Sequence, residues 1–168
     1  MPASGKSSIG KLLASQLEFD FIDLDQVIVQ KEDASIAEIF SKKGEEYFRE
    51  VERKCLLELI NIEGGFVLAT GGGAPCFYNN MADMNKSGIT IFLNVALEDL
   101  FHKLKKKGTH KRPLLKDKTK KELYEELTTK LDERLKYYEQ SKIILNQRFA
   151  EITYRVNQVI FAIKSLEE

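Results

Sequence analysis

The sequence predicts a three-layer α/β domain built on a central parallel sheet. Three observations carry that prediction. Short apolar runs alternate with amphipathic helical stretches along the whole chain. The run ITIFLNV (89–95) is nearly all apolar, as a strand covered on both faces should be. At 168 residues the chain has the size of one domain, and its 43% hydrophobic and 31% charged residues are the mix of a soluble globular fold.

The elements follow in order. Residues 6–17 place Ile9, Leu12, Leu13 and Leu17 on one face of a helix. FDFIDL (19–24) is a first short strand. Ser35 is placed to cap a short helix, 36–43, that Gly44 ends. A long helix over 45–62 gathers Phe48, Val51, Cys55, Leu56, Leu59 and Ile60 on its apolar side, and Gly64-Gly65 stops it. FVLAT (66–70) is a second strand, followed by a loop of three glycines and a helix near 78–87. The third strand is 89–95, and a helix covers 96–107. Residues 108–119 are polar and basic, with Gly108 and Pro113, and predict a mobile loop. A helix from about 119 to 140, a fourth strand at KIILN (142–146) and a closing helix over 151–166 complete the chain. No internal repeat appears, so residues 1–168 are expected to be a single domain.

Composition removes several function classes. Lys+Arg and Asp+Glu are both 26, and a generic nucleic-acid binder would be basic overall. No run of 18 or more apolar residues could cross a membrane, and MPASGKSSIG lacks the apolar core of a signal peptide. Cys55 and Cys76 stand 21 apart with no CxxC, so neither a disulfide framework nor a zinc site is indicated. A cytoplasmic setting and a monomer are expected. His102 and His110 have no third ligand nearby and fit surface positions.

The N-terminus carries most of a phosphate-loop motif. In MPASGKSS, Gly5, Lys6 and Ser7 fill the last three places of G-x-x-x-x-G-K-[ST], and an amphipathic helix follows. The order has a physical reason. Backbone N–H groups at a helix N-terminus wrap nucleotide phosphates where the helix dipole favours negative charge. Lys6 would reach the β- and γ-phosphates and Ser7 would ligate Mg²⁺. Ala3, Ser4, Gly5, Lys6, Ser7 and Ser8 would then form the ATP loop. The same letters also fit a polar tail with a capping serine. The first glycine of the motif would fall immediately before Met1, and the strand that should lead into the loop is missing from the N-terminus.

Four further clusters carry chemistry. Asp23 and Asp25 end the first strand, and alternation would put both carboxylates on one face. One could hold Mg²⁺ through water and the other accept a proton from an attacking hydroxyl; two solvated turn aspartates fit as well. Arg49 and Glu52 lie three apart on one helical side, the guanidinium near the core boundary, or form an ordinary surface pair. LATGGG (68–73) puts three glycines directly after a strand, which lets a ligand approach the backbone. KRPLL (111–115) offers Arg112 on a basic loop able to close over phosphates. Arg134, among Asp132, Glu133 and Lys136, fits a charged helix face from its local context.

Taken in order, these pieces resemble shikimate kinase. The resemblance covers roughly residues 1–146 and runs through GKSS, FIDLD, SIAEIFSKKGEEYFREVE, VLATGGGA, KRPLL and LDERLKYYEQS. It implies a P-loop kinase of the nucleoside-monophosphate-kinase type, with five parallel strands and the P-loop strand in the middle. It implies transfer of the ATP γ-phosphate to the 3-hydroxyl of shikimate with Mg²⁺. Lys6, Asp25 and Arg112 are then the catalytic residues. Asp25, Arg49, Gly72 and Arg134 would bind shikimate, with the two arginines on its carboxylate. Ser7 and Asp23 would serve the metal. Arg112 would act as the lid arginine, on a lid at about 108–119. After KIILN the chain reads NQRFAE (146–151) where the family often has an Asp-Thr-Asn-Arg-like run, which leaves Arg148 to serve ATP.

Two other readings stay open at this point. One is a related small-molecule kinase, such as a gluconate kinase. The other is an inactive ATP- and substrate-binding module, which the missing strand favours. The family order puts the P-loop strand between 66–70 and 89–95. A chain that lacks it is expected to be unstable or weakly active.

Overall fold

Helix α1 (Lys6–Leu17) starts on Gly5, whose φ of 98° suits a residue with no side chain. Strand β1 (Asp20–Asp23) follows, then α2 (Leu24–Glu32) and α3 (Ile36–Ile60). Ser35 and Glu38 form a reciprocal capping box at the start of α3. Gly44, at φ 84°, breaks the helical geometry of α3, so the two helices expected there meet at a kink. Strand β2 (Phe66–Ala69), a short 3₁₀ turn (Ala74–Cys76) and α4 (Asn80–Ser87) come next. Strand β3 (Ile91–Val95), α5 (Leu97–Lys107), α6 (Lys120–Tyr138), β4 (Ile143–Gln147) and α7 (Ile152–Glu167) complete the order. This computed structural model describes residues 1–107, 119–147 and 151–167.

Two expectations change. Helix α2 was not expected, and the first strand stops at Asp23. The Asp23 carboxylate accepts the backbone N–H of Asp25 at 3.1 Å and caps α2. Asp25 therefore sits in the first turn of a helix, and strand alternation does not place it.

The strands run parallel, as expected. Among the described residues the strands pair as two separate parallel ladders, β1 with β2 and β3 with β4. Asp20 is opposite Phe66 in the first, and Ile91 opposite Ile143 in the second. A cavity of about 600 Å³ is lined by Phe66, Val67 and Leu68 of β2 and by Ile91, Phe92 and Leu93 of β3. The two ladders thus face one apolar gap. The core is divided in the same way. One cluster gathers Leu24, Ile28, Ile39, Phe48 and Leu56 from α2 and α3. A second joins Phe92, Leu100, Leu104, Leu127 and Tyr138 around β3, α5 and α6. A third packs Ile9 and Leu13 of α1 against Leu93, Val156 and Val159.

Candidate active site

The glycine run after β2 is the floor of the site. A Cβ at Gly71 would lie 3.0 Å from Glu52 Oε1 and 3.1 Å from Asp25 Oδ1. One at Gly72 would lie 3.3 Å from Arg134 Nη1, and one at Gly73 2.7 Å from both Arg49 Nη1 and Nη2. Side chains from α2, α3 and α6 thus converge on bare backbone. Any substituted residue at Gly73 would push into the Arg49 guanidinium.

Arg49 is buried, and its Nη1 donates to Glu52 Oε2 at 2.6 Å. Its Nε and Nη2 donate to Glu45 Oε1 at 3.2 and 3.0 Å. The guanidinium lies over the Phe77 ring at 4.2 Å, which holds it flat at the wall. Glu52 is only 1% exposed. Burial pushes its carboxyl above the ordinary value, outweighing Arg49, and the nearby Asp25 charge adds to the rise.

The loop ahead of α1 closes against the same floor. The Met1 amino group donates to the Tyr138 hydroxyl at 3.4 Å, and that hydroxyl donates to the Gly72 carbonyl at 2.5 Å. Lys6 Nζ donates to the Met1 carbonyl at 2.9 Å, and Ser4 Oγ to the same oxygen at 3.1 Å. The Lys6 ammonium is thus folded over its own loop. Ser7 Oγ donates to Asp23 Oδ2 at 3.2 Å. These two hard oxygen donors at the loop mouth form a set that suits Mg²⁺, which keeps several waters and needs few protein ligands. Among the described residues no three His, Cys, Asp or Glu come together as a larger metal cluster.

Two arginines and two carboxylates thus lie against the glycine run, beside the loop that opens α1. The family model described as shikimate kinase matches residues 2–164. The chain belongs to the shikimate kinase family. The shikimate kinase of Bacteroides thetaiotaomicron is 38% identical over 165 residues, 98% of this chain and 93% of the relative. That of Clostridium botulinum is 41% identical over 152 residues, 90% of this chain and 86% of the relative. The solved Bacteroides thetaiotaomicron shikimate kinase structure superposes with a TM-score of 0.88 at 35% identity, covering 96% of this chain and 93% of that one. The Acinetobacter baumannii shikimate kinase in complex with shikimate gives 0.85 at 28% identity, with 96% and 88% covered.

Of the shikimate kinase residues expected from sequence, Asp25, Arg49, Gly72 and Arg134 meet at the glycine floor. Ser7 and Asp23 touch. Ala3, at φ 58°, and Gly5, at φ 98°, both adopt left-handed backbone in the loop, and Ser8 is exposed at the start of α1. Arg112, Arg148 and the lid at about 108–119 lie outside the described residues, Thr119 excepted, which caps α6. Sequence reasoning missed Tyr138 and the burial of Glu52. The Arg49/Glu52 spacing was legible, but a glutamate three residues from an arginine reads the same whether buried or solvated.

Proposed function

We propose that the chain is a single kinase domain over residues 1–168 that transfers the γ-phosphate of ATP to the 3-hydroxyl of shikimate, acting as a cytoplasmic monomer. The observation that carries this reading is the convergence of Asp25, Glu52, Arg49 and Arg134 on Gly71–Gly73. Shikimate is a small ring with one carboxylate and three hydroxyls. Planar arginines suit the carboxylate, an aspartate suits the hydroxyls, and bare glycine backbone lets the ring lie close.

The chemistry is positioning and charge neutralisation. Ala3, Ser4, Gly5, Lys6, Ser7 and Ser8 hold the ATP phosphates, with Lys6 swinging from the Met1 carbonyl onto the β- and γ-oxygens. Asp25 orients the 3-hydroxyl and takes its proton as the oxygen bonds to the γ-phosphorus. The bond from the γ-phosphorus to the bridging oxygen breaks, and ADP leaves. Arg49, Arg134 and the Gly72 backbone hold shikimate, and Arg112 and Arg148 serve the nucleotide. Ser7 and Asp23 would hold Mg²⁺, which when bound neutralises phosphate charge.

The test is coupled detection of ADP with shikimate, gluconate and nucleoside monophosphates as acceptors. Shikimate-dependent ADP release with a 3-phosphorylated product is expected. Preference for another acceptor would refute the substrate assignment. ATP and shikimate binding without turnover would favour the binding-module reading.

A further inference from the structure

Arg155 belongs to none of the clusters above, yet it touches the loop. It lies in the first turn of α7, whose inner face packs on α1 through Val156, Val159, Ile9 and Leu13. Its Nη2 donates to the Ser4 carbonyl at 3.2 Å. A Cβ at Gly5 would lie 3.5 Å from Nη1 and 3.6 Å from Nη2, so the guanidinium rests against the residue that opens α1. The Arg155 Nε is buried and has no hydrogen-bond partner among the described residues. Among the described residues no carboxylate pairs with this guanidinium.

Two physical consequences follow. In a trans peptide the C=O and the next N–H point in opposite directions. A guanidinium that pins the Ser4 carbonyl on one side therefore turns the Gly5 N–H to the other. Secondly, a half-buried cation without a counter-charge is costly until an anion arrives. Burial already lowers the Arg155 pKa, so the site resists the charge it carries. A phosphate beside Gly5 would relieve that cost, and the relief would appear as affinity.

We infer that Arg155 is a positioning residue of the nucleotide loop, fixing the Ser4–Gly5 peptide and supplying uncompensated positive charge beneath the phosphates. This rests on the reading of Ala3–Ser8 as the ATP loop. It sets Arg155 apart from Arg49 and Arg134, which serve the acceptor side. By linkage, the polyphosphate must in turn stabilise a protein with Arg155 more than one without it.

The experiment is calorimetric titration of Mg²⁺–ATP, Mg²⁺–ADP and shikimate into the wild type, R155K, R155Q and R155M. Thermal melting with and without 5 to 10 times the wild-type Kd of ATP runs alongside. R155M is expected to weaken ATP and ADP by about tenfold or more, the usual loss of a charge-assisted contact. Its shikimate Kd should stay within about twofold, and ATP should raise its melting temperature less than the wild type's. R155K should recover more ATP affinity than R155Q, because it keeps the charge as well as a donor. Unchanged ATP affinity in R155M, or equal weakening of ATP and shikimate, would overturn the inference. Should R155M fail to fold, R155K and R155Q decide: equal ATP affinity of the two overturns it, and tighter binding by R155K supports it. A wild type that binds no ATP would overturn the nucleotide-loop reading and this inference together. A wild type that binds ATP as tightly as R155M would overturn this inference alone.

Discussion

Adding a five-residue apolar strand and a glycine ahead of Met1 should fill the gap between β2 and β3 and raise the melting temperature. The gap holds about 600 Å³ and is lined by apolar residues of both strands. The Met1 end of the loop lines it too, so an extension would enter directly. A strand there would pair on both edges, and each added backbone hydrogen bond is worth roughly 0.5–1.5 kcal/mol net. Each apolar side chain it buries adds about 1.5–3 kcal/mol. Ordering the added residues costs about 1–2 kcal/mol each in backbone entropy, and more for side chains. With about eight bonds and four buried side chains, the surplus is on the order of 3–5 kcal/mol. For a chain of this length that is a shift of about 10 °C. The assay is thermal melting of the chain with and without the extension. A third chain carries proline at the middle of the added strand, which removes a donor and cannot sit in a central strand. Equal melting of the apolar and proline versions would refute the reasoning, because any added tail would then do the same.

Three other outcomes are expected. Lys6→Met should abolish turnover, a loss of several kcal/mol of transition-state stabilisation, while shikimate still binds by calorimetry; near-normal turnover would remove Lys6 from the phosphates. Arg49→Ala should weaken shikimate far more than ATP and lower stability by about 3–5 kcal/mol, because Glu52 is left buried and unpaired; replacing Arg49 and Glu52 together by Met should regain much of the stability but not the binding. Tyr138→Phe should flatten the alkaline limb of the melting profile. Burial holds the Tyr138 hydroxyl up to about 12 against an ordinary 10.0. The unfolded chain therefore loses this proton first, and stability falls from pH 10 to pH 12, by roughly 2.7 kcal/mol for two pH units. A Phe variant with an undiminished fall would show that other groups set that limb.

Periodicity and punctuation made most elements legible, because Ser35, Gly44 and Gly64-Gly65 act locally through caps and backbone freedom. Helix α2 was not legible. Its Val27-Ile28-Val29 run is β-branched, and its start depends on Asp23 turning to cap α2 directly after β1. Its end rests on Asp33 in a left-handed conformation at φ 47°. The site divided in the same way. Asp23, Arg49 and the glycines stood in short motifs. Arg134 looked like part of a charged face, and only the packing of α6 brings it over Gly72. Tyr138 packs against the Phe92 ring, with centroids 4.9 Å apart. Its hydroxyl's bond to Gly72 is a contact across 66 residues that no local pattern encodes.

The divided sheet separates the two substrates unequally. Asp25, Arg49, Glu52 and Gly71–Gly73 all hang on β1, β2 and the helices packed on them. Arg134 comes from the other half, yet α6 is tied to the glycine floor by the Tyr138 hydroxyl on the Gly72 carbonyl. The acceptor side is therefore braced without any strand in the gap. The nucleotide loop is tied down by Met1 on Tyr138 and by Arg155 on the Ser4 carbonyl, but the helix it opens spans the gap. Its α1 packs against β1 through Gly10, which lies under the Phe21 ring, and against Leu93 of β3 through Ile9 and Leu13. It bridges both halves, and its front end lines the gap. Play between the halves would move the phosphates relative to the 3-hydroxyl. In-line transfer tolerates such misplacement poorly, about 100-fold for 1 Å. Filling the gap should therefore raise kcat by at least tenfold while changing the KM for shikimate by less than about threefold. Steady-state kinetics of the chain with and without the added strand measure both. A gain confined to KM for shikimate would show that the acceptor side, not the nucleotide loop, is what the open gap leaves loose.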